Sequence, residues 1–193
     1  MLTEQMAVTL VVTEVLESLD VPYVIGGSLA SALHGVMRAT MDVDVLADLH
    51  REHVEPLAQA LGDGFYADVE AMRDAVRLHS SFNLIHLETM FKVDIFVAKP
   101  RAFDRSQLSR RQLHVLSEEP ERRAYVASAE DIVLAKLEWY RMGGEVSDRQ
   151  WRDVVGVIKV QEGRLDRGYL KQMADQLGVA DLLARALGEV DRG

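Results

Sequence analysis

Tyr23–Ser28 (YVIGGS) and Arg38–Val45 (RATMDVDV) are the two ends of the stretch that decides the fold. The apolar run Val21–Ile25 predicts a short buried strand, and the two glycines after it predict a turn. Ser28 stands where it could cap a short helix, which Gly35 would end. The stretch therefore predicts a strand, a glycine turn, a short helix and a second strand, in that order.

The second strand carries two acidic residues that alternate with valines. Because successive side chains of a strand point to opposite faces, Asp42 and Asp44 share one face, and Val43 and Val45 share the other. A glycine turn at a helix N-terminus suits a phosphate group, because the backbone N–H groups and the helix dipole attract anions. A pair of carboxylates suits Mg²⁺, which prefers hard oxygen ligands and shares them with substrate phosphates.

The combined pattern resembles the nucleotidyltransferase superfamily, which has the polymerase-beta-like fold. Its signature is an apolar strand, Gly-Gly or Gly-Ser, a short spacer, and then Asp-x-Asp, which here are Gly26–Ser28 and Asp42–Asp44. The longer pattern from Gly35 through Arg38 and Thr40 resembles the abortive-infection (AbiEii-like) toxin branch. The resemblance implies an Mg²⁺-dependent enzyme that transfers NMP from an NTP to a hydroxyl acceptor.

The resemblance also implies a third carboxylate on a neighbouring strand, and Asp94 in the apolar run Phe91–Val97 fits that role. Asp42, Asp44 and Asp94 would then be the metal-binding and catalytic carboxylates. An acid in so apolar a strand is costly to bury unless it is paired or metal-bound. The alternative is that Asp42 and Asp44 are an exposed edge, and that Asp94 is ion-paired with Lys92 or an arginine.

The residues that the resemblance assigns to the nucleotide phosphates are Gly26, Gly27 and Ser28, with Arg38 and Thr40 just before the carboxylates. Glycine permits close approach of the backbone, and an arginine can bind a phosphate bidentately. The same glycines would make a tight turn without any ligand. Arg38 could equally neutralise the acidic cluster when no ligand is bound.

A second group of candidate catalytic residues lies further along the chain. Lys136 and the run 148–153 resemble the lysine and the Arg-x-x-Lys/Arg-Asp motif of the toxin-like branch, in which the lysine and the aspartate, here Asp153, face the nucleotide. The chain departs from the branch at Gly156, where an aspartate is often found. The alternative is an exposed ion pair between Arg149 and Asp153, since residues four apart are neighbours on a helix.

Composition limits the class of protein. The 193 residues have a net charge of −9, 48% hydrophobic residues and no cysteine. This charge disfavours an extended surface for nucleic acid. The absence of cysteine excludes disulfides and thiolate metal sites and fits the cytoplasm. No apolar run reaches the roughly 18 residues that would span a membrane, and the N-terminus lacks the basic region of a signal peptide.

Hydrophobic periodicity predicts an α/β (α+β) protein with a mixed sheet. We expect a nucleotidyltransferase core at residues 1–127 and a helical region at residues 128–193 that packs on it, because strand-like alternation gives way to helical spacing near residue 127. Ser128 begins a capping-box pattern that opens the helical region. The strands that carry Asp42 and Asp94 should be neighbours.

Several acceptors and functions are compatible with these motifs. The acceptor hydroxyl could belong to a tRNA-like RNA 3′ end, which ranks slightly first, or to a protein or a small molecule. The segment Lys99–Gln112 holds five basic residues against one acid and could guide RNA, or could offset nearby acids. A toxin would have an antitoxin partner. The alternatives to an enzyme of this class are a non-catalytic nucleotide-binding or interaction protein on the same scaffold, and a metal-dependent nuclease, which would not explain the Gly-Gly-Ser turn.

Overall fold

The structure, a computed structural model, describes residues 4–35 and 42–192. Packing divides these residues into two compact units: the first holds 4–26 and 42–126, and the second holds 27–35 and 127–192. The packing boundary at residue 126 lies beside the predicted one, and the helix after the two glycines groups with the C-terminal helices. The predicted division into a nucleotidyltransferase core at residues 1–127 and a helical region at 128–193 packed on it stays a prediction.

The first unit contains a seven-stranded mixed sheet. Its strands are β1 (Tyr23–Ile25), β2 (Asp42–Ala47), β3 (Phe65–Ala67), β4 (Ser81–His86), β5 (Lys92–Val97), β6 (Gln112–Glu118) and β7 (Glu121–Val126). They are ordered β3-β4-β5-β2-β1-β7-β6 across the sheet. The β1–β7 and β2–β5 pairs are parallel and the other pairs are antiparallel. The predicted fold class, with a mixed sheet followed by helices, is confirmed.

Helices follow or connect the strands. In chain order they are α1 (Glu4–Ser18), α2 (Gly27–Leu33), α3 (Val54–Leu61), α4 (Val69–Leu78), α5 (Ala102–Arg110), α6 (Ala129–Met142), α7 (Asp148–Val160), α8 (Arg167–Leu177) and α9 (Ala180–Val190). The first unit holds α1 and α3–α5, and the second holds α2 and α6–α9. None of the helices in the described part of the chain is both long and apolar enough to cross a bilayer.

The two central strands of the sheet divide their side chains between the core and the other face. In β2, Val43 and Val45 are buried, and in β5, Val93 and Ile95 are buried. The residues between them are half-buried, so both strands show the alternation that the sequence predicts. Since α1 contacts β2 and β7, the buried valines belong to the hydrophobic core of the first unit. The acidic residues of both strands therefore stay outside that core.

Helix α5 is not predicted by the sequence. Its buried residues are Phe103, Asp104 and Gln107, which do not form an apolar stripe of helical period. The helix is instead fixed by polar contacts of Asp104, which accepts hydrogen bonds from the backbone N–H of Lys99 at 2.8 Å and from Nε of Arg101 at 2.5 Å. A buried carboxylate with these partners anchors a helix that hydrophobic periodicity cannot reveal.

In the second unit, side-chain caps set where three helices begin. Ser128 precedes α6 and accepts a hydrogen bond from the backbone N–H of Asp131 at 3.2 Å, which confirms the predicted cap. Ser147 and Asp166 cap α7 and α8 in the same way. Each cap satisfies an N–H group that the helix itself leaves without a partner.

The short helix after the two glycines differs from the prediction at its start. Helix α2 begins at Gly27, so Ser28 lies in its first turn and is not its N-cap. Gly35 follows the helix as predicted, with a φ of +103°. A Cβ atom at Gly35 would lie 2.4 Å from Cγ1 of Val160. Gly35 is therefore required both by its backbone conformation and by the close approach of α7.

Replacing Gly35 tests this second requirement. Gly178, which follows α8, also has a positive φ, of +68°, but a Cβ there would meet no atom of the described residues within 4 Å. We expect Gly178→Ala to lower the free energy of unfolding by about 1–2 kcal/mol, the cost of the left-handed backbone. Gly35→Ala should lower it by a further ~1–3 kcal/mol, because Val160 must move.

Urea unfolding of the two purified variants and of the wild type measures both losses. Equal losses in the two variants would show that α7 does not approach Gly35 this closely.

Candidate functional site

The predicted carboxylates meet on one face of the sheet. In the parallel pairing of β2 with β5, Asp44 lies directly opposite Asp94, and Asp42 lies directly opposite Lys92. Neighbouring strands are about 4.8 Å apart, and side chains on the same face recur about every 6.6 Å along a strand. The four residues are therefore the corners of a small rectangle with three carboxylates and one ammonium group. The expected adjacency of the two strands is confirmed.

Lys92 is the basic residue of this rectangle and forms an ion pair within it. Its Nζ lies 2.8 Å from Oδ2 of Asp94. The hydrogen bond to Asp94 raises the pKa of Lys92, and the negative charges of Asp94, Asp42 and Asp44 raise it further, while burial acts in the opposite direction. One ammonium group thus interacts with all three carboxylates, and the ion pair of Asp94 with Lys92, which was the alternative interpretation from sequence, is present.

The donor chemistry of the cluster fits a divalent cation. Oδ1 of Asp94 is buried and has no hydrogen-bond partner among the described residues. A buried acceptor without a partner costs about 1–3 kcal/mol, and a hard cation would satisfy it. However, the side chains of residues 4–35 and 42–192 include no group of three acidic or histidine residues that is arranged to hold a metal ion. The carboxylates share one face of the two strands, and Lys92 is bound to Oδ2 of Asp94.

The glycine turn is tied to the acidic strand by its backbone. The N–H group of Gly26 donates to the carbonyl oxygen of Asp44 at 2.8 Å. A Cβ atom at Gly26 would meet only this oxygen among the described residues outside its chain neighbours, at 3.9 Å, which is an ordinary contact. Gly27 has a φ of +58°, which favours glycine. Packing against the described residues therefore does not require glycine at position 26.

For three of the predicted phosphate-binding residues the structure does not bear on the assigned role. Ser28 is half-buried in the first turn of α2, in the second unit. Arg38 and Thr40 lie outside the described residues. The roles that the sequence assigns to these three side chains stay predictions.

The other candidate catalytic residues form a buried ion pair in the second unit. Nζ of Lys136, on α6, lies 2.9 Å from Oδ2 of Asp153, on α7, and their side chains are 11% and 10% exposed. Asp153 thus pairs across two helices, in contrast to the alternative of an exposed pair with Arg149 on its own helix. Burial of two charges adds little net stability, because desolvation offsets their attraction. Net stability alone therefore does not account for this pair.

Sequence reasoning missed Asn83, which extends the row of polar side chains by one strand. Asn83 on β4 lies opposite Asp94 in the antiparallel pairing with β5, and its side chain is exposed. The alternation in Ser81–His86 places it on one face of β4. The register between β4 and β5, which puts it beside Asp94, is not visible in the sequence.

No family model and no curated protein sequence matches this chain. Among solved structures, it is similar to an antigenic nucleotidyltransferase-like protein from Paracoccidioides brasiliensis, with a TM-score of 0.57 and 18% identity over 96% of this chain and 92% of that one.

An antibiotic adenylyltransferase and an antibiotic-resistance factor have a similar fold. The chain resembles the lincosamide antibiotic adenylyltransferase LnuA in its lincomycin-bound form, with a TM-score of 0.53 and 17% identity over 82% of this chain and 98% of that one. It also resembles the antibiotic-resistance factor ANT(2'')-Ia, with a TM-score of 0.55 and 14% identity over 100% and 97% of the two chains. The chain thus has the fold of known nucleotidyltransferases, and the AbiEii-like branch stays a prediction.

Removing one charge of the buried pair should be costly. We expect Asp153→Asn to lower the free energy of unfolding by about 3 kcal/mol or more, because it leaves the Lys136 ammonium group buried without its partner. The control is Asp74→Asn, which breaks the exposed pair of Asp74 with Arg77, at 65% and 69% exposure. An exposed pair contributes about 1 kcal/mol or less.

Urea unfolding of both variants gives the two losses. A loss in Asp153→Asn as small as that in Asp74→Asn would show that the Lys136 pair is effectively solvated.

Proposed function

We propose that the protein transfers a nucleoside monophosphate from an NTP to a hydroxyl group, with Mg²⁺ held by Asp42, Asp44 and Asp94. The observation that carries this proposal is the register of β2 with β5, which sets Asp44 directly opposite Asp94 on one face. The fold shared with nucleotidyltransferase structures supports it. The hydrogen bond of Gly26 to Asp44 supports it further, because it fixes the glycine turn to the acidic strand.

In the proposed reaction the acceptor oxygen attacks the α-phosphorus, and pyrophosphate leaves in line with it. Bound Mg²⁺ ions would stabilise the attacking and leaving oxygens. Asp94 would accept the proton of the attacking hydroxyl, directly or through water, and its Oδ1 atom is available for this because it has no hydrogen-bond partner among residues the structure describes. Asp42 and Asp44 would supply the remaining negative charge of the site.

We assign the β- and γ-phosphates to the backbone N–H groups of the glycine turn. Gly26 and Gly27 would let the backbone approach the phosphates closely, and Ser28 would add a hydroxyl donor. Arg38 would bind a phosphate oxygen bidentately, and Thr40 would contribute a further hydroxyl. Gly26 supports this assignment, because an added Cβ atom would make only an ordinary contact with the described residues, so packing against them does not explain the glycine.

Lys136 and Asp153 are assigned to catalysis because they resemble the pair that faces the nucleotide in the toxin-like branch. Their burial supports the assignment, since an ion pair of this kind is retained at little gain in stability. Kinetic assays of Lys136→Met separate the possible contributions. A raised KM for NTP would indicate nucleotide binding, and a lowered kcat would indicate a contribution to the chemical step.

A small-molecule hydroxyl is the acceptor that we place first. The basic segment Lys99–Gln112, the argument for RNA, uses much of its charge internally. Arg101 binds the buried Asp104, and the guanidinium group of Arg111 lies 4.5 Å from the ring centre of Tyr125 and donates to the carbonyl oxygen of Leu108. The net charge of −9 also disfavours a polyanion. The structures of the antibiotic adenylyltransferase, with lincomycin bound, and of the antibiotic-resistance factor agree with a small acceptor.

A toxin role, an antitoxin partner and a cytoplasmic location stay predictions from the sequence. Co-expression with the product of a neighbouring gene, followed by copurification, tests for a partner. Growth arrest on expression of the chain alone, relieved by that product, is the result that a toxin–antitoxin pair requires.

The ion pair of Asp94 with Lys92 favours a second candidate function. A scaffold that binds a nucleotide without reacting would also keep its carboxylates neutralised by an internal cation. Incubation with each labelled NTP, Mg²⁺ and a panel of hydroxyl acceptors separates the two. Labelled adducts and pyrophosphate support transfer, whereas binding of the NTP without either product supports the non-catalytic candidate. Cleavage of nucleic acid would indicate the nuclease.

Replacing Asp44 tests the carboxylate site. We expect Asp44→Asn to lower the transfer rate at least a hundredfold, equivalent to about 2.7 kcal/mol in the barrier, because one of the charges that would hold Mg²⁺ is lost. Without metal, the melting temperature should hold or rise, because like charges directly opposite on neighbouring strands repel. Asp175→Asn, at an exposed position on α8, is the control with the same change in charge.

Transfer rates and thermal melting of both variants complete the test. Wild-type turnover by Asp44→Asn would refute the assignment.

Salt dependence of RNA binding tests the choice of acceptor. Lys99 and Arg105 are the exposed basic residues of the segment, so their replacement does not disturb the contacts of Arg101 and Arg111. If RNA is not the acceptor, Lys99→Ala/Arg105→Ala should bind a tRNA-like RNA as weakly as the wild type does and with the same salt slope. A steep wild-type slope that becomes shallower in the variant would instead establish phosphate contacts to RNA.

A further inference from the structure

The side chain of Lys92 lies on the same face of the sheet as the three carboxylates. Lys92 lies opposite Asp42 in the pairing of β2 with β5 and two residues before Asp94 on its own strand, so it shares their face. It binds Oδ2 of Asp94 at 2.8 Å. The sequence and the proposed reaction give this lysine no task beyond neutralising Asp94.

Stability alone is a weak reason for a lysine at this position. The Lys92 side chain is 38% exposed, and ion pairs with this much solvent contribute at most about 1 kcal/mol. The strand geometry is more informative. Lys92 lies directly opposite Asp42, and Asp44 lies directly opposite Asp94, so the ammonium group shares one face of the sheet with all three carboxylates.

The two carboxylate oxygens of Asp94 differ in whether they have a partner. Oδ2 is occupied by Lys92, Oδ1 has no hydrogen-bond partner in the described part of the chain, and no three acidic or histidine side chains there are arranged to hold a metal. A divalent cation and the Lys92 ammonium group carry charge of the same sign and need the same oxygens. They cannot both take the position beside Asp94 without strong repulsion.

We infer that Lys92 is the internal counter-cation of the carboxylate cluster, and that a divalent cation binds there by displacing its ammonium group from Asp94. This inference rests on the proposed function, because it takes Asp42, Asp44 and Asp94 as the metal ligands. It makes Lys92 a determinant of metal affinity. Without metal the lysine neutralises like charges that the strand register forces together, and it sets the free cation concentration at which the site fills.

Direct measurement of Mn²⁺ binding to the full chain tests the inference without any assay of turnover. Electron paramagnetic resonance of free Mn²⁺, or calorimetry, gives the Kd for the wild type, Lys92→Met and Lys92→Arg. We expect Lys92→Met to bind Mn²⁺ at least tenfold more tightly, because the competing charge is gone. Lys92→Arg keeps the charge and should stay close to wild type.

Two controls distinguish local from general effects. Lys171→Met makes the same change in net charge at an exposed position of α8, and its Kd should stay within twofold of wild type. Thermal melting supplies the second readout. Lys92→Met should melt at a lower temperature than wild type without metal and should gain more from added Mg²⁺, since the cation then replaces the lost ammonium group. Lys92→Gln serves in the same two measurements if Lys92→Met fails to fold.

The outcomes separate the inference from the proposed function. Tighter Mn²⁺ binding in Lys92→Met, with Lys92→Arg and Lys171→Met near wild type, supports the inference. Unchanged affinity in Lys92→Met, with measurable binding to the wild type, overturns the inference and leaves the metal site standing. Absence of Mn²⁺ binding to the folded wild type and folded Lys92→Met overturns the metal site itself, and the inference with it.

Discussion

The parallel pairing of β2 with β5 is the constraint on which the candidate site depends. Its register places Asp44 opposite Asp94, and the alternation of side chains then sends Val43, Val45 and their neighbours into the core. A shift of one residue would reverse both faces, burying carboxylates and exposing valines. Hydrophobic packing on one face therefore fixes the chemistry on the other, and the acidic residues are held in place by side chains that never touch them.

This arrangement brings like charges together in the first unit, and in each unit a lysine neutralises one of the candidate carboxylates. In the first unit, Lys92 lies among the carboxylates and binds Asp94. In the second unit, the charge of Asp153 is balanced by Lys136 inside a helical pair. Neither ion pair is expected to add much net stability. The pair of Lys92 with Asp94 is partly exposed to solvent, and in the pair of Lys136 with Asp153 the cost of burying both charges offsets their attraction. This agrees with the roles proposed above for Lys92 and for Lys136 with Asp153.

The sequence predicts those parts of the structure that depend on local pattern. Alternation in β2 gave the faces of Asp42 and Asp44, and the capping box gave Ser128 as the start of α6. Features that depend on pairing between distant segments cannot be predicted from the sequence. The partner of Asp153 is on another helix, the neighbour of Asp42 is Lys92 on another strand, and α5 is anchored by the polar contacts of Asp104.

The same distinction bears on what the fold similarity implies for function. A fold depends on backbone pairing and on apolar residues of suitable size, so it can persist while sequence identity falls to 18% or below. Acceptor recognition depends on individual polar side chains, which change freely on a fixed scaffold. A shared fold is thus an argument about the scaffold, and the proposed NTP binding rests on the carboxylate face of this chain. The acceptor has to be argued from charges particular to this chain, such as those of Arg101 and Arg111, which already contact other groups of the protein.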